Sequence, residues 1–401
     1  MKKKMKIKVL ALSITCLLCM CAGPVSAESY IIQLLPSVNF SSIVRAYPSL
    51  KHHVEGILRI GKFRAIYGNF DTRFARLLSH SNMVVEVSLD AEIQLSAVQS
   101  SAPRHLARLS QQHALTAQSS YDYVYDPSAG KGIDVYVFDS GIQRWNPAFE
   151  NRVQFGMDFT GEGSGDDNGH GTFVAGVIGS RDYGVAKKAN LIDIKVIQSD
   201  GRGRLSWVLR GIDYVLRSKR MSNRPAVINM SFATPRNSVF NRALQNVISM
   251  DIPVVAAAGN QNTTACRYSP ASAENVLVIG SFDDHGDMLA EFTNWGRCVD
   301  AFAPGVDVDS LDAHAAAPRR GSANTRNGRV APAVTLSGTS VSSAIGSGLV
   351  AYFMGMGDSG SQAVERIKSL TVREQLDFGK FPNRPNTKNL ILYNEAGEPL
   401  W

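Results

Sequence analysis

The sequence predicts an α/β protein with a doubly wound, mainly parallel sheet, preceded by a small α+β unit. Two observations predict the sheet: short apolar runs recur from residue 131 onward, and amphipathic helical patterns separate several of them. Buried strands that alternate with helices require crossover connections, which build a parallel sheet covered on both faces. A segment of different pattern, residues 28–94, precedes them and predicts the smaller unit.

Composition agrees with a large folded protein. The chain has 401 residues, of which 44% are hydrophobic and 19% are charged, so extensive disorder is not expected. The formal charge of +7 arises mainly from five lysines among the first eight residues. From Leu95 onward the chain has 30 Lys and Arg and 29 Asp and Glu, so this part is nearly neutral. No nucleic-acid partner is therefore predicted.

Residues 1–27 predict a secretory signal peptide. A lysine-rich start precedes residues 9–21, an apolar run too short to span a bilayer, and Val25 and Ala27 suit signal peptidase. An uncleaved anchor is the alternative. No later segment has enough apolar residues to cross a membrane, so we expect a secreted protein with no stable membrane span.

The next segment, residues 28–94, predicts the α+β unit. It contains an edge-like strand at residues 30–34, a second strand at 83–87 and helical patterning between them. Residues 99–103 then predict an exposed connector, because Ser and Pro discourage regular structure and give proteases access.

The larger part, residues 95–401, predicts the sheet. Its strands are expected at residues 133–138, 189–196, 226–230, 253–258 and 275–279. Its helices are expected at residues 205–217, 238–250 and 340–356. Residues 307–333 predict a long surface loop. In such sheets, chemistry lies at the carboxyl ends of the strands.

Four residues at strand ends or helix starts predict nucleophilic catalysis. Asp139 ends a buried strand, His170 lies between glycines at a helix start, and Ser340 follows Gly-Thr at another helix start. A serine hydroxyl needs a base, and the base needs an orienting partner. Asn260 follows the strand at 253–258, where its amide can donate to an oxyanion together with the backbone N–H of Ser340.

Asp, His and Ser in this order identify the sequence as similar to the subtilisin-like serine proteases, and most to their proteinase K branch. The resemblance covers residues 30–394 and includes runs at residues 101–108, 183–188, 268–272 and 292–296. It implies a serine endopeptidase, acting as a monomer on proteins and peptides, with Asp139, His170 and Ser340 as its triad. It also implies that residues 28–94 are an inhibitory propeptide and folding template, cleaved from a catalytic domain at 95–401.

The resemblance assigns further roles. The edge strand that pairs with a bound peptide is Gly201, Arg202 and Gly203. The walls of the specificity pocket are Ser231, Phe232, Ala233, Ala257, Ala258 and Gly259. Small side chains in these walls imply a roomy apolar pocket and broad cleavage after apolar or aromatic residues. Asp300 and the carbonyls of Glu274 and Val276 match a structural calcium site, although Asp300 could simply cap a loop. Catalysis itself needs no cofactor.

Two cysteines, Cys266 and Cys298, remain after signal removal. In an oxidising compartment this pair predicts one disulfide, with two buried free thiols as the alternative. A zinc site built on four cysteines is excluded.

The sequence also departs from the family. Residues 341–344 read Val-Ser-Ser-Ala where Met-Ala-Thr-Pro is usual, which predicts a looser helix start but not the loss of the helix. Phe173 replaces a second histidine. Ala233 and Thr234 replace two glycines beside the pocket, and Pro235 follows them. Two alternatives to an active enzyme remain. One is a weak pseudoprotease that binds peptides, and the other is an adhesin-like module that uses the arginines of the loop, Arg319, Arg320, Arg326 and Arg329.

Overall fold

The structure is a computed structural model that describes residues 27–90, 97–315, 333–379 and 384–396. The chain divides into two compact units, residues 1–93 and 94–401. Of the predicted signal peptide, all but Ala27 lies outside the described residues. The described residues contain no helix that is both long enough and apolar enough to cross a membrane.

The N-terminal unit is an antiparallel sheet with two helices. Its described elements are, in chain order, β1 Ala27–Leu34, α1 Phe40–Ala46, a 3₁₀ turn Pro48–His52, β2 Val54–Ile60, β3 Phe63–Asp71, α2 Thr72–Ser79 and β4 Val84–Leu89. The strand order is β2-β3-β1-β4. The apolar core of this unit includes Ile32, Ile43, Ile66 and Leu78, so strands and helices share one core.

Two details of the prediction for this unit are wrong. The strand at residues 30–34 is not an edge, because β1 pairs with β3 on one side and β4 on the other. The region between the two predicted strands also contains β2 and β3, where helical patterning was expected. No residue of β2 is fully buried, and exposed Glu55 and Arg59 interrupt its apolar residues, which weakens the apolar signal of a strand.

The larger unit contains the remaining described elements. The strands are β5 Ala97–Gln99, β6 Tyr123–Tyr125, β7 Asp134–Asp139, β8 Val153–Asp158, β9 Asn190–Lys195, β10 Ala226–Met230, β11 Thr234–Pro235, β12 Val254–Ala257, β13 Tyr268–Ser269, β14 Leu277–Asp283, β15 Met288–Leu289, β16 Ala301–Pro304, β17 Val308–Leu311, β18 Ala333–Leu336, β19 Val372–Arg373 and β20 Leu390–Ile391. The α-helices are α3 Arg104–Leu109, α4 His170–Gly179, α5 Leu205–Ser222, α6 Ser238–Ile248, α7 Thr339–Gly355 and α8 Gly360–Leu370.

The central sheet of this unit is mainly parallel. Its strand order is β19-β20-β16-β14-β12-β10-β7-β9-β8, with β15 beside β14. The pairs from β20 across to β8 are parallel, whereas β19 and β15 pair antiparallel with their neighbours. The predicted doubly wound, mainly parallel fold is therefore confirmed, and each predicted strand of this unit is present.

Two apolar cores cover the two faces of this sheet. In β7, Val135 and Val137 join the core that contains residues of α4, α7 and α8, whereas Tyr136 and Phe138 join the core that contains residues of α5 and α6. Successive side chains of a strand point to opposite faces, so a strand buried on both faces is apolar throughout. This explains why the central strands were recognisable from the sequence.

Two predicted loops are partly regular. Within the expected connector at residues 99–103, Gln99 belongs to β5, which pairs with β6, and Ala102 is buried. Within the expected loop at 307–333, β17 pairs antiparallel with β18. Residues 316–332, which carry the four arginines of the adhesin-like alternative, lie outside the described residues.

The predicted disulfide is confirmed. Cys266 and Cys298 are bonded, with their Cα atoms 5.4 Å apart. Closing a loop of about thirty residues contributes about 3–4 kcal/mol to stability by the loop-entropy argument.

Candidate active site

The three predicted triad residues lie at the ends of elements that meet at one edge of the sheet. Asp139 is the last residue of β7, His170 is the first residue of α4, and Ser340 is the second residue of α7. Asn260 follows β12 at the same carboxyl edge. Helices α4 and α7 both pack over the core on one face of the sheet, which brings their N-terminal residues to this edge.

Asp139 holds the imidazole of His170. Its Oδ1 atom lies 2.8 Å from Nδ1 of His170, and Asp139 is buried while the His170 side chain is one-third exposed. With Nδ1 donating to the carboxylate, Nε2 is left as the basic nitrogen. The described residues include no hydrogen bond between His170 and Ser340, a contact that is often long in enzymes without substrate.

Charges around His170 raise its pKa. Burial lowers the pKa of the imidazole, but the charge and hydrogen bond of Asp139, with the charge of Asp166, outweigh burial and leave the pKa above its ordinary value. The protonated imidazole that forms during proton transfer is therefore stabilised.

Asp166 is a positioning residue that the sequence did not reveal. It is buried, and its Oδ1 atom accepts hydrogen bonds from the Ser140 hydroxyl and the Gly169 N–H, both at 2.8 Å. Its Oδ2 atom accepts from the N–H and the hydroxyl of Thr172, at 2.8 and 2.6 Å. Asp166 thus joins the turn after Asp139 to the start of α4. The available signal for this role in the sequence was an acidic residue shortly before the start of a helix.

Thr339 orients the amide of Asn260. The Oδ1 atom of Asn260 accepts hydrogen bonds from the N–H and the hydroxyl of Thr339, at 2.9 and 2.7 Å. Because the oxygen is engaged, the Nδ2 donor points away from Thr339. A β-carbon on Gly338 would lie 3.3 Å from Nδ2 of Asn260 and 3.2 Å from Oγ of Ser340. Because residue 338 is a glycine, the space between these two atoms stays open.

The first residues of α7 are held by serine hydroxyls. Ser231 and Ser343 both donate to the carbonyl of Ser340, at 3.0 and 2.9 Å. Ser342 donates to the carbonyl of Ala303 at 3.0 Å. The helix runs unbroken through Ala344, so the unusual stretch at residues 341–344 keeps its helical structure. Phe173, in place of a second histidine, is fully buried.

The predicted specificity walls lie after two neighbouring strands. Ser231, Phe232 and Ala233 follow β10, and Ala257 ends β12. Ala258 and Gly259 are buried, and the Gly259 N–H donates to Thr339 Oγ1 at 3.0 Å. Ser231 faces the Ser340 carbonyl, and Ala233 is exposed. The walls therefore come together beside the start of α7.

The predicted peptide-pairing stretch is a tight turn. Gly201 donates to the carbonyl of Gln198 at 2.9 Å, and Gln198 donates to the carbonyl of Arg202 at 2.7 Å. The Arg202 N–H donates to Asp200, and Gly203 bridges to Ile197. Arg202 therefore uses both backbone groups inside the turn, and its side chain is exposed.

The predicted calcium ligands fit that ion poorly. Oδ1 of Asp300 lies 3.0 Å from the ammonium of Lys388, and Oδ2 accepts the Val278 N–H at 3.1 Å. Asp300 is the single carboxylate among the predicted ligands, and calcium prefers oxygen ligands whose charge balances its own. An ammonium already neutralises this carboxylate. Glu274 and Val276 line the same pocket as Asp300.

The known proteins that this chain is similar to are subtilases and subtilisin-like proteinases. The sequence model of the subtilase family matches residues 130–391. The chain is 39% identical over 316 residues to subtilase-type proteinase RRT12 of Saccharomyces cerevisiae, covering 76% of this chain and 62% of that protein. It is 39% identical over 314 residues to proteinase T of Parengyodontium album, covering 78% and 99%. A crystal structure of a cold-adapted subtilisin-like serine proteinase matches with a TM-score of 0.62 and 30% identity, covering 74% of this chain and 99% of that one.

Proposed function

Because this chain belongs to the subtilase family of serine peptidases, we propose that it is a secreted endopeptidase that matures by cutting its own precursor. Proteins and peptides are its proposed substrates, and it needs no cofactor for catalysis. The observation that carries this proposal is the 2.8 Å hydrogen bond from His170 to Asp139 at the sheet edge where Asn260 and Ser340 also lie.

The proposed first step is acylation of Ser340. Its Oγ atom bonds to the carbonyl carbon of the substrate while its proton passes to Nε2 of His170. The electron pair of the carbonyl bond moves to oxygen, and this oxyanion accepts hydrogen bonds from Asn260 Nδ2 and the Ser340 N–H. When the C–N bond breaks, His170 gives its proton to the leaving amine, and the acyl group remains on Ser340.

The proposed second step is hydrolysis of the acyl-enzyme. A water molecule loses a proton to Nε2 of His170 as its oxygen bonds to the acyl carbon. The bond to Ser340 Oγ then breaks, His170 returns the proton to Oγ, and the carboxylate product leaves. Asp139 keeps the imidazole in the required tautomer through both steps.

Replacing Asn260 with alanine tests the oxyanion site. We expect kcat to fall by about 10²–10³-fold with KM nearly unchanged, the loss found for the same kind of change in subtilisin, a relative of this chain. The measurement is steady-state hydrolysis of a chromogenic peptide. Asn246→Ala, in an exposed turn of α6, is the matched control. A loss below tenfold would remove Asn260 from the oxyanion site.

The proposed specificity is broad cleavage after apolar or aromatic residues. The small side chains of Ala233, Ala257 and Gly259 support a roomy pocket. The methyl group of Thr234 and the ring of Pro235 lie next to this wall in the chain, so we expect slower cleavage after very large side chains. Peptide pairing along Gly201, Arg202 and Gly203 remains part of this proposal, and it must use backbone groups other than the N–H and C=O of Arg202, which are engaged inside the turn.

The N-terminal unit is the proposed inhibitor and folding template of the catalytic unit, which we take to be monomeric. Its strands β2 and β4 keep the large apolar side chains of Ile57, Ile60, Val85 and Leu89 exposed. Exposed apolar side chains on a small unit support binding to another protein surface.

Mass spectrometry of the purified precursor tests maturation. We expect wild-type protein to be cut within roughly residues 92–101, a connecting segment of which residues 92–96 lie outside the described part of the chain. The Ser340→Ala precursor should stay whole, because self-cleavage needs the nucleophile. Ser361→Ala, an exposed serine in α8, should mature normally. Equal processing of wild type and Ser340→Ala would exclude self-cleavage.

The second candidate is a weak pseudoprotease that binds peptides in the same groove. It is favoured by the lack of a hydrogen bond between His170 and Ser340 among the described residues. Peptide hydrolysis far above the Ser340→Ala background separates the two, because a weak pseudoprotease predicts little or none.

A further inference from the structure

A pocket of about 700 Å³ lies on the larger unit, between helix α6, the loop at residues 271–276 and the segment at 297–300. This volume lies in the range of sites that hold small-molecule ligands. Its charged lining residues are Arg236, Arg242, Arg297, Lys368, Glu274 and Asp300. It thus contains the residues that the family resemblance assigns to calcium.

The cations of this pocket outnumber its acids, and most of the cations are unpaired. Within the described part of the chain, no acidic side chain forms an ion pair with Arg236, Arg242 or Arg297, and all three are exposed. The ammonium of Lys368 lies 3.3 Å from the carboxylate of Glu365 on the exposed surface of the same helix. Such a surface ion pair contributes little free energy.

Of the two acids of the pocket, one is paired with a cation. Asp300 pairs with Lys388 at 3.0 Å, which adds a further cation beside the pocket. Glu274 accepts a single long hydrogen bond of 3.5 Å from Gln245. The summed charge therefore makes the pocket electropositive, which repels Ca²⁺ and attracts anions.

We propose that this pocket binds a small anion that carries phosphate or carboxylate groups, and that it does not bind calcium. Guanidinium groups suit this ligand, because their planar N–H donors match two oxygens of a phosphate or carboxylate at once. Three such groups around one concave surface supply more donors than a single oxyanion can use, which favours a ligand with several anionic groups.

Thermal unfolding of the Ser340→Ala protein in inorganic phosphate tests this site without self-digestion. Sodium chloride keeps the ionic strength constant across the titration. A ligand that binds only the folded state raises the unfolding midpoint, and we expect a saturable rise of about 2–4 °C. The combined Arg236→Gln, Arg242→Gln and Arg297→Gln variant should lose this rise. Arg220→Gln, an exposed arginine in the last turn of α5, should keep it.

The same experiment can overturn the proposal. Phosphate also stabilises proteins in general, so an equal rise in the triple variant would assign the effect to the bulk salt and not to the pocket. Absence of any rise would exclude the site as well. Calcium chloride and EDTA should leave the midpoint unchanged. A midpoint that rises with calcium and falls with EDTA, and that no longer responds once Asp300→Asn is introduced, would restore the calcium site and contradict the proposal.

Discussion

Replacing Ser340 with alanine is expected to lower kcat by about 10⁶-fold, and replacing His170 with alanine should do nearly the same. Losses of this size are found for the corresponding residues of subtilisin, a relative of this chain. The physical reason is that acylation needs both the oxygen that forms the bond and the base that accepts its proton. Residual hydrolysis should come from substrate binding and the oxyanion donors alone.

A serine-directed sulfonyl fluoride measures this step without turnover. It should modify Ser340 and no other residue in wild-type protein, as read by peptide mass spectrometry. His170→Ala should abolish the labelling, because the hydroxyl then has no base. His285→Ala, which changes an exposed histidine that pairs with Asp283, is the matched control and should label normally.

The double variant distinguishes a catalytic unit from independent contributions. Combining Ser340→Ala with His170→Ala should cost little more than either change alone, because the residues act together. Weak or absent labelling of the wild type, or single losses below about a hundredfold, would support the pseudoprotease. Labelling that persists in His170→Ala would exclude His170 as the base.

The positions of Asp139, Asn260, His170 and Ser340 could be predicted because each is next to a strongly patterned element. A strand buried on both faces is a continuous apolar run, and the polar residue that ends it is conspicuous. The glycines before His170 and Ser340 mark the helix starts in the same way. The central strands and the candidate catalytic residues could therefore be predicted from the same local patterns.

The features that the sequence did not reveal depend on partners far apart in the chain or on partly exposed strands. Asp300 lies beside Lys388 only in the folded protein, so no local pattern could show that its charge is already neutralised. Strand β2 alternates half-buried with exposed residues, and its pattern resembled a helix. Asp166 acts through four hydrogen bonds to three other residues, none of which is recognisable before folding.

Replacing Asp139 with asparagine is expected to lower the reactivity of Ser340 by about 10⁴-fold, the size found for the equivalent change in another Ser-His-Asp protease. Asparagine has nearly the shape of aspartate but no charge, and its amide favours the wrong tautomer of His170. The variant precursor can be processed in trans by wild-type protein. The reaction is then followed as the fraction of molecules whose intact mass shows sulfonylation of Ser340. Traces of wild-type protein do not distort this measurement, because they contribute almost nothing to the modified fraction.

The pH dependence of that reaction supplies a second, independent readout. Labelling needs neutral His170, so the labelling rate of the wild type should fall as the pH is lowered and His170 is protonated. The midpoint of this acid limb should lie above the ordinary histidine pKa, because Asp139 raises the pKa of His170. In Asp139→Asn the burial of His170 remains while the charge that offsets it is gone, so its pKa falls and the acid limb moves to lower pH. Asp167→Asn makes the same chemical change at an exposed position near His170 and should leave both the rate and the acid limb in place. An acid limb that does not move in Asp139→Asn would mean that the 2.8 Å contact does not set the protonation of the base.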